Sequence, residues 1–169
     1  WQWPQEFKIK NNKFLKSWIK IKSEEILIEK LIQWHLDEQW KAIKNFAKSR
    51  NIKLIGDLPF YVSRDSADVW SNKSLFSIFK NGKLIFQSGV PPDYFSSTGQ
   101  LWGTPTYFWS KHKRTNFEWW RKRFKRQFEL VDLLRLDHFR GLAGYWRVNG
   151  NSKTAICGKW INSPGRTLL

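Results

Sequence analysis

Between residues 24 and 49 apolar side chains recur at helical spacing, with Leu36, Trp40, Ile43 and Ala47 on one face. Ser23 is the candidate N-terminal cap. Glu24 and Glu25 follow in the first turn, where unpaired amides favour negative charge. The helix is expected to stop near Arg50 and Asn51. The next apolar run, Ile52-Lys53-Leu54-Ile55, is short and closed by Gly56-Asp57, the pattern of a buried strand that ends in a loop. Residues 58–75 show no period. Phe76-Ser77-Ile78-Phe79 and Leu84-Ile85-Phe86 then flank Asn81-Gly82, a hairpin signal because both turn residues tolerate positive φ.

A long loop is expected from Gly89 to Pro105, framed by Pro91-Pro92, Gly99 and Gly103 and carrying Tyr94, Phe95 and Trp102. Together with the hairpin it makes residues 71–115 an insertion. A second helix is expected over 116–129, with Phe117, Trp120, Phe124 and Phe128 as its core stripe. It feeds a strand, Val131 to Leu136, that ends at Asp137-His138. Helix, strand, acidic residue and loop thus occur twice, which predicts an α/β fold. In such folds sites are built at the carboxyl ends of parallel strands.

Composition changes this picture in two respects. The 169 residues include 12 Trp and 13 Phe and are 41% hydrophobic, far too apolar for a disordered chain. Thirty Lys and Arg against 14 Asp and Glu give a formal charge of +16, which raises binding to single-stranded nucleic acid as one hypothesis. The densest basic run, Arg121-Lys122-Arg123 with Lys125-Arg126, lies between aromatic positions of the second helix, and a solvated helix face explains it more simply. No stretch is long and apolar enough for a membrane span. The lone Cys157 and the absence of zinc-type spacing predict a reducing compartment and no structural metal. The chain starts at Trp1 and has no methionine, so a piece of a longer protein is expected.

The candidate chemistry centres on Arg135-Leu136-Asp137-His138-Phe139-Arg140-Gly141. Side chains alternate along a strand, so Arg135 and Asp137 share a face. A neighbouring guanidinium keeps a carboxylate ionised, as a nucleophile requires. A structural ion pair at the strand end is the equal alternative. Asp57 either binds sugar hydroxyls or caps its turn. Asp65 and Asp68 are expected to cap a helical turn, and His35 and His112 to be surface or packing residues, whereas His138 can serve a hydroxyl. Tyr94, Phe95 and Trp102 offer flat faces for sugar rings or else pin their loop. No GxGxxG, P-loop, HExxH or Gly-x-Ser-x-Gly motif occurs.

Several runs carry a resemblance. They are Gly56-Asp57-Leu58-Pro59-Phe60-Tyr61-Val62, Asp65-Ser66-Ala67-Asp68-Val69-Trp70, Gly89-Val90-Pro91-Pro92-Asp93-Tyr94-Phe95-Ser96, Thr98-Gly99-Gln100-Leu101-Trp102-Gly103, and the Asp137 run above, continued by Tyr145-Trp146 and Gly158-Lys159-Trp160. In these the chain resembles the 4-alpha-glucanotransferases known as amylomaltase or disproportionating enzyme, while residues 1–25 match poorly. The resemblance implies that residues 1–169 are a central segment of a (β/α)₈ barrel, incomplete at both ends and carrying about strands 3 and 4, with 71–115 as inserted hairpin and substrate-groove loop. It implies Asp137 as nucleophile and Arg135 as its electrostatic partner. Asp57, Asp93, Tyr94, Phe95, Trp102 and His138 are its implied substrate-binding residues. The implied reaction is retaining transfer of alpha-1,4-glucan segments between malto-oligosaccharides through a covalent glucosyl-Asp137 intermediate, without metal or cofactor.

Two departures qualify that expectation. Thr104 stands where the family usually has Asn, and residues 138–169 contain no Asp or Glu, so the acid/base Glu and the third Asp of the family lie outside this segment. The segment alone is expected to be inactive. The rival readings are a non-catalytic glucan-binding remnant and a basic, aromatic nucleic-acid-binding module. The expected location is the cytoplasm, with a plastid as the alternative, and no nucleic-acid or membrane partner is expected.

Overall fold

The computed structural model of the protein describes residues 3–169. In chain order its helices are α1 (Gln5–Lys8), α2 (Asn12–Ile21), α3 (Ser23–Ser49), α4 (Ala67–Ser71), α5 (Trp109–Arg114) and α6 (Glu118–Leu130). Its strands are β1 (Ile55–Pro59), β2 (Phe86–Val90), β3 (Gln100–Pro105), β4 (Leu133–Asp137), β5 (Gly144–Asn149) and β6 (Gly158–Asn162). The chain divides into two units, one running to Leu58 and adding Arg123–Arg135, the other formed by Pro59–Lys122 and Leu136–Leu169.

In the first unit α2 is capped by Asn11, whose side chain accepts from the Phe14 amide at 3.0 Å. Ser23 is not a cap. A single residue, Lys22, joins α2 to α3, donating its amide to Trp18 and accepting from Ile26, so the helical bonding leaves no free turn for a serine to cap. The end of α3 falls where the sequence places it, at Arg50 followed by left-handed Asn51. Of the predicted stripe only Ala47 is buried and Trp40 is half-buried, while Leu36 and Ile43 stay more than half exposed. What holds α3 is polar. The Trp40 indole donates to the Leu130 carbonyl at 2.7 Å, and Lys44 Nζ donates to the carbonyls of Phe128, Glu129 and Val131. These lie at or just past the end of α6, where carbonyls without helical partners and the negative end of the dipole favour a cation.

The strand expected at 52–55 instead spans Ile55–Pro59 and includes Gly56 and Asp57. Residues before it are diverted by Asp132: the Leu54 amide donates to the Asp132 carboxylate, and the Leu54 carbonyl accepts from the Asp132 and Leu133 amides. Nor is this strand buried, since Ile55 is 70% exposed. It pairs with β4. Contacts advance together along both strands, from Leu54 with Asp132 and Leu133 to Asp57 with Arg135, which is the order of a parallel pair.

The second unit is built on an antiparallel sheet in the order β3-β2-β5-β6. The segment 89–105, expected as one loop, is a hairpin: Gly89 faces Leu101, Val90 faces Gln100, and only the tip between them is irregular. The hairpin expected around Asn81-Gly82 shrinks to a tight turn with one bridge, Ile78 to Leu84. Ser77 bonds to both sides: its carbonyl accepts from the Ile85 and Phe86 amides, while its amide donates to the Thr106 carbonyl and its hydroxyl pairs with the Thr106 hydroxyl at 2.7 Å. In α4, Ser66 provides the cap through the Val69 amide; Asp68 instead accepts from the Trp119 indole at 3.0 Å, and Asp65 pairs with Arg64.

The core of this unit is aromatic. Phe60, Phe76, Tyr107, His112, Trp119, Trp120 and Tyr145 are all buried, with ring centroids 5–6 Å apart in mostly edge-on or tilted pairs. Trp119 belongs to this core although the sequence stripe omits it, and Phe128, within the stripe, is 53% exposed. His112 is a packing residue, fully buried and with neither ring nitrogen in a well-formed hydrogen bond among the described residues; His35 is a surface residue beside Gln39. Burial lowers the His112 pKa to about 4, against a smaller upward pull from the Leu75 backbone.

Candidate active site

The alternation of β4 leaves Leu133, Arg135 and Asp137 exposed and Leu134 and Leu136 half-buried, so arginine and aspartate do occupy the same set of alternate positions. Arg135 is committed in a way the sequence did not reveal. Its Nε and terminal nitrogen reach both carboxylate oxygens of Asp57, at 3.1 and 2.6 Å, a two-pronged pair between adjacent strands. Asp57 therefore does not cap its turn. The fork geometry orients Asp57 as well as attracting it.

Directly after Asp137 the backbone reverses. His138 adopts a left-handed conformation at φ 53° and ψ 48°, and a short 3₁₀ turn, Phe139–Leu142, follows. The reversal sends the His138 ring among aromatic neighbours while the preceding Asp137 stays exposed. Trp102 meets the imidazole edge-on at 5.0 Å, and Tyr61 and Phe60 lie at 5.8 and 6.1 Å. Gly141 makes the tight return feasible, since a Cβ there would stand 2.7 Å from the Phe60 ring. Burial lowers the His138 pKa more than neighbouring Asp137 raises it, which keeps the ring neutral, one nitrogen a donor and one an acceptor.

Tyr61 is the residue that sequence reasoning missed. It is 8% exposed, stacks almost flat on Tyr107 at 6.0 Å, touches Trp102 and His138, and its hydroxyl has no hydrogen-bond partner among the described residues. His138 Nε2 is in the same condition. The unmatched hydroxyl of a buried tyrosine next to an unmatched ring nitrogen of a half-buried histidine is a cost that packing alone does not explain. The only earlier signal was its place in the Gly56–Val62 run.

Trp102 lies on β3, 37% exposed, with its indole donating to Gln100 Oε1 at 3.2 Å. Thr104, the departure noted above, has its hydroxyl paired with that of Ser88 across to β2. At the tip of the β2–β3 hairpin Tyr94 and Phe95 are 98% and 92% exposed and meet edge-on at 5.6 Å. Asp93 turns inward on its own loop, accepting at Oδ1 from the amides of Phe95 and Ser96. Two members of the basic run on α6 are paired with acids: Lys122 with Glu118, and Arg126 with both Glu129 and Asp37 of α3.

A mixed α/β chain with this arrangement matches solved enzymes in fold. The amylomaltase from Streptococcus agalactiae, solved in complex with acarbose, superposes with a TM-score of 0.94 at 36% identity, over 99% of this chain and 34% of that one. The chain belongs to the 4-alpha-glucanotransferase family, whose model matches residues 1–169. Relatives include the 4-alpha-glucanotransferase of Aquifex aeolicus, 41% identical over 100% of this chain and 35% of its own length. The chloroplastic/amyloplastic 4-alpha-glucanotransferase of Solanum tuberosum is 41% identical over 100% of this chain and 29% of its own. The chain spans about a third of the length of the curated relatives it matches first.

Proposed function

We propose that this chain is the nucleophile-bearing segment of a retaining 4-alpha-glucanotransferase that moves alpha-1,4-glucan segments between malto-oligosaccharides. The observation that carries the reading is the end of β4: an exposed carboxylate, Asp137, followed at once by a left-handed histidine held against Trp102 and Tyr61. In this reading the residues are part of a (β/α)₈ barrel, with β1 and β4 as about its third and fourth strands and 71–115 as the groove-forming insertion.

Asp137 attacks the anomeric carbon of a bound glucan, and the leaving segment's oxygen takes a proton from an acid supplied outside residues 138–169, which hold no Asp or Glu. The acceptor's 4-hydroxyl, giving its proton to the conjugate base of that same acid, then displaces Asp137, so two inversions give retention. Neutral His138 and Asp57, oriented by Arg135, hold sugar hydroxyls; Trp102, Tyr94 and Phe95 offer ring faces to the apolar sides of glucose units. Arg135 supplies positive potential at the strand ends. No metal or cofactor enters these steps, and the compartment is the cytoplasm or a plastid. Among the described residues no helix is long and apolar enough to cross a membrane.

The test is trapping. In the complete protein, incubation with a 2-fluoro or 5-fluoro maltosyl fluoride and digestion should give a peptide containing Asp137 heavier by one glycosyl unit. Label on another carboxylate, or transfer with inversion, removes the proposal.

A further inference from the structure

We infer that Asp93 is a positioning residue: its carboxylate acts on the hairpin tip rather than mainly on the sugar, holding Tyr94 and Phe95 out as a preformed platform. Two fully exposed aromatic residues side by side are costly in water, and a flexible nine-residue tip would fold them back onto the sheet beneath. Here they stay 98% and 92% exposed.

The bonds that keep them there converge on one side chain. Asp93 Oδ1 accepts from the Phe95 amide at 2.9 Å and the Ser96 amide at 2.8 Å, while the Asp93 amide donates to the Ser96 carbonyl at 3.0 Å. The turn is then locked to the next strand. The Gly99 amide donates to the Ser96 carbonyl at 3.1 Å, and the Ser96 hydroxyl to the Gly99 carbonyl at 2.9 Å. Gly99 itself is left-handed at φ +68°, with no room for a Cβ against the Val90 carbonyl. Residues 93–99 are thus a closed ring of short bonds, and the only charged member is Asp93. A carboxylate oxygen receiving two amides binds them more strongly than a neutral acceptor does, and it fixes the Tyr94–Phe95 backbone before any ligand arrives.

This inference rests on the glucanotransferase reading for its activity arm and is independent of it for its structural arm. Asp93→Asn keeps an oxygen that can accept both amides; Asp93→Ala keeps none. In the complete protein the alanine variant should raise KM for maltotriose about tenfold with kcat changed less, and the asparagine variant should restore most of that loss. Chymotrypsin cleavage after Tyr94 or Phe95, followed by mass spectrometry, should speed up several-fold in Asp93→Ala and stay near wild type in Asp93→Asn. Equal losses in both variants mean that the carboxylate acts on the sugar, and unchanged proteolysis in Asp93→Ala means that it does not hold the tip; either overturns the inference. A wild-type protein that transfers no glucan overturns the functional reading and leaves the proteolysis arm to decide this one.

Discussion

The two units bury their apolar residues very differently. Among the described residues, the buried hydrophobic side chains of the helical unit are Ala47, Leu58 and Val131, whereas the sheet unit buries Phe60, Phe76, Tyr107, Trp119, Trp120, Tyr145 and more. Yet α3 has a clear apolar stripe, and Leu27, Leu31, Trp34 and Phe46 on the same helix are each more than half exposed. Helical periodicity tells which face wants burial. It does not tell whether the partner lies in the same stretch of chain, and most helix stability comes from that partner.

The largest predicted effect contrasts Asp137, assigned to the sheet unit, with Arg135, assigned to the helical unit. In the complete protein Asp137→Asn should lower kcat by on the order of 10⁴ while malto-oligosaccharide binding by calorimetry changes little. Arg135→Ala should cost far less in turnover and also loosen Asp57, its partner at 2.6 Å. If Asp137→Asn keeps most of its turnover and loses thermal stability instead, Asp137 is structural.

The next effect bears on packing. In the 169-residue chain, Trp120→Ala should destabilise the sheet unit by about 3–5 kcal/mol, as for other fully buried aromatics. Ile43→Ala on α3, 52% exposed, should cost under about 0.5 kcal/mol. Chemical denaturation followed by tryptophan fluorescence measures both. A comparable loss at Ile43 would erase the contrast between the units.

Much of this contrast was legible beforehand and some was not. The long helix, its stop at Asn51 and the strand leading to Asp137 follow from period and composition. The β2–β3 hairpin was hidden because Pro91, Pro92, Gly99 and Gly103 mark a loop wherever they occur, and pairing of Gly89 with Leu101 is a tertiary fact. Ser23 fits the statistics of a cap but lacks the free helix end that a cap serves. The Arg135–Asp57 pair joins residues 78 apart in sequence, a separation across which local patterns carry no information. Tyr61 lies in a stretch without period, and only its unmatched hydroxyl in the folded chain sets it apart.

His112 gives the sheet unit a pH dependence that sets in at higher pH than that of the helical unit, whose shifted carboxylates, Asp37 and Glu25, are held below their ordinary range by their cationic partners. Its pKa is about 4 when folded against 6.5 when unfolded, so the unfolded chain binds the proton first as pH falls. Stability from this group is fully present above pH 6.5 and is lost between there and about 4, at up to about 1.4 kcal/mol per pH unit. His112→Phe should flatten the denaturation midpoint over that window. A profile identical to wild type would mean that another group carries it.

The smallest effect expected on stability is at Tyr61. Tyr61→Phe removes a hydroxyl that has no partner, so the melting temperature should hold or rise by about 1–2 °C. In the complete protein the same variant should transfer glucan more slowly if the site uses that hydroxyl. A clear drop in melting temperature would show that the hydroxyl is bonded after all.

The contact of Gly141 with the Phe60 ring, 2.7 Å from where a Cβ would fall, bears on how this segment can be re-engineered. A library that varies the residues after Asp137 one at a time will find position 141 frozen, and one that varies Phe60 alone will find only cavities. Accessible new sequences lie along the diagonal, a smaller side chain at 60 together with a methyl group at 141, where the two losses partly offset instead of adding. The two positions are 81 residues apart in the chain and behave as a single genetic locus.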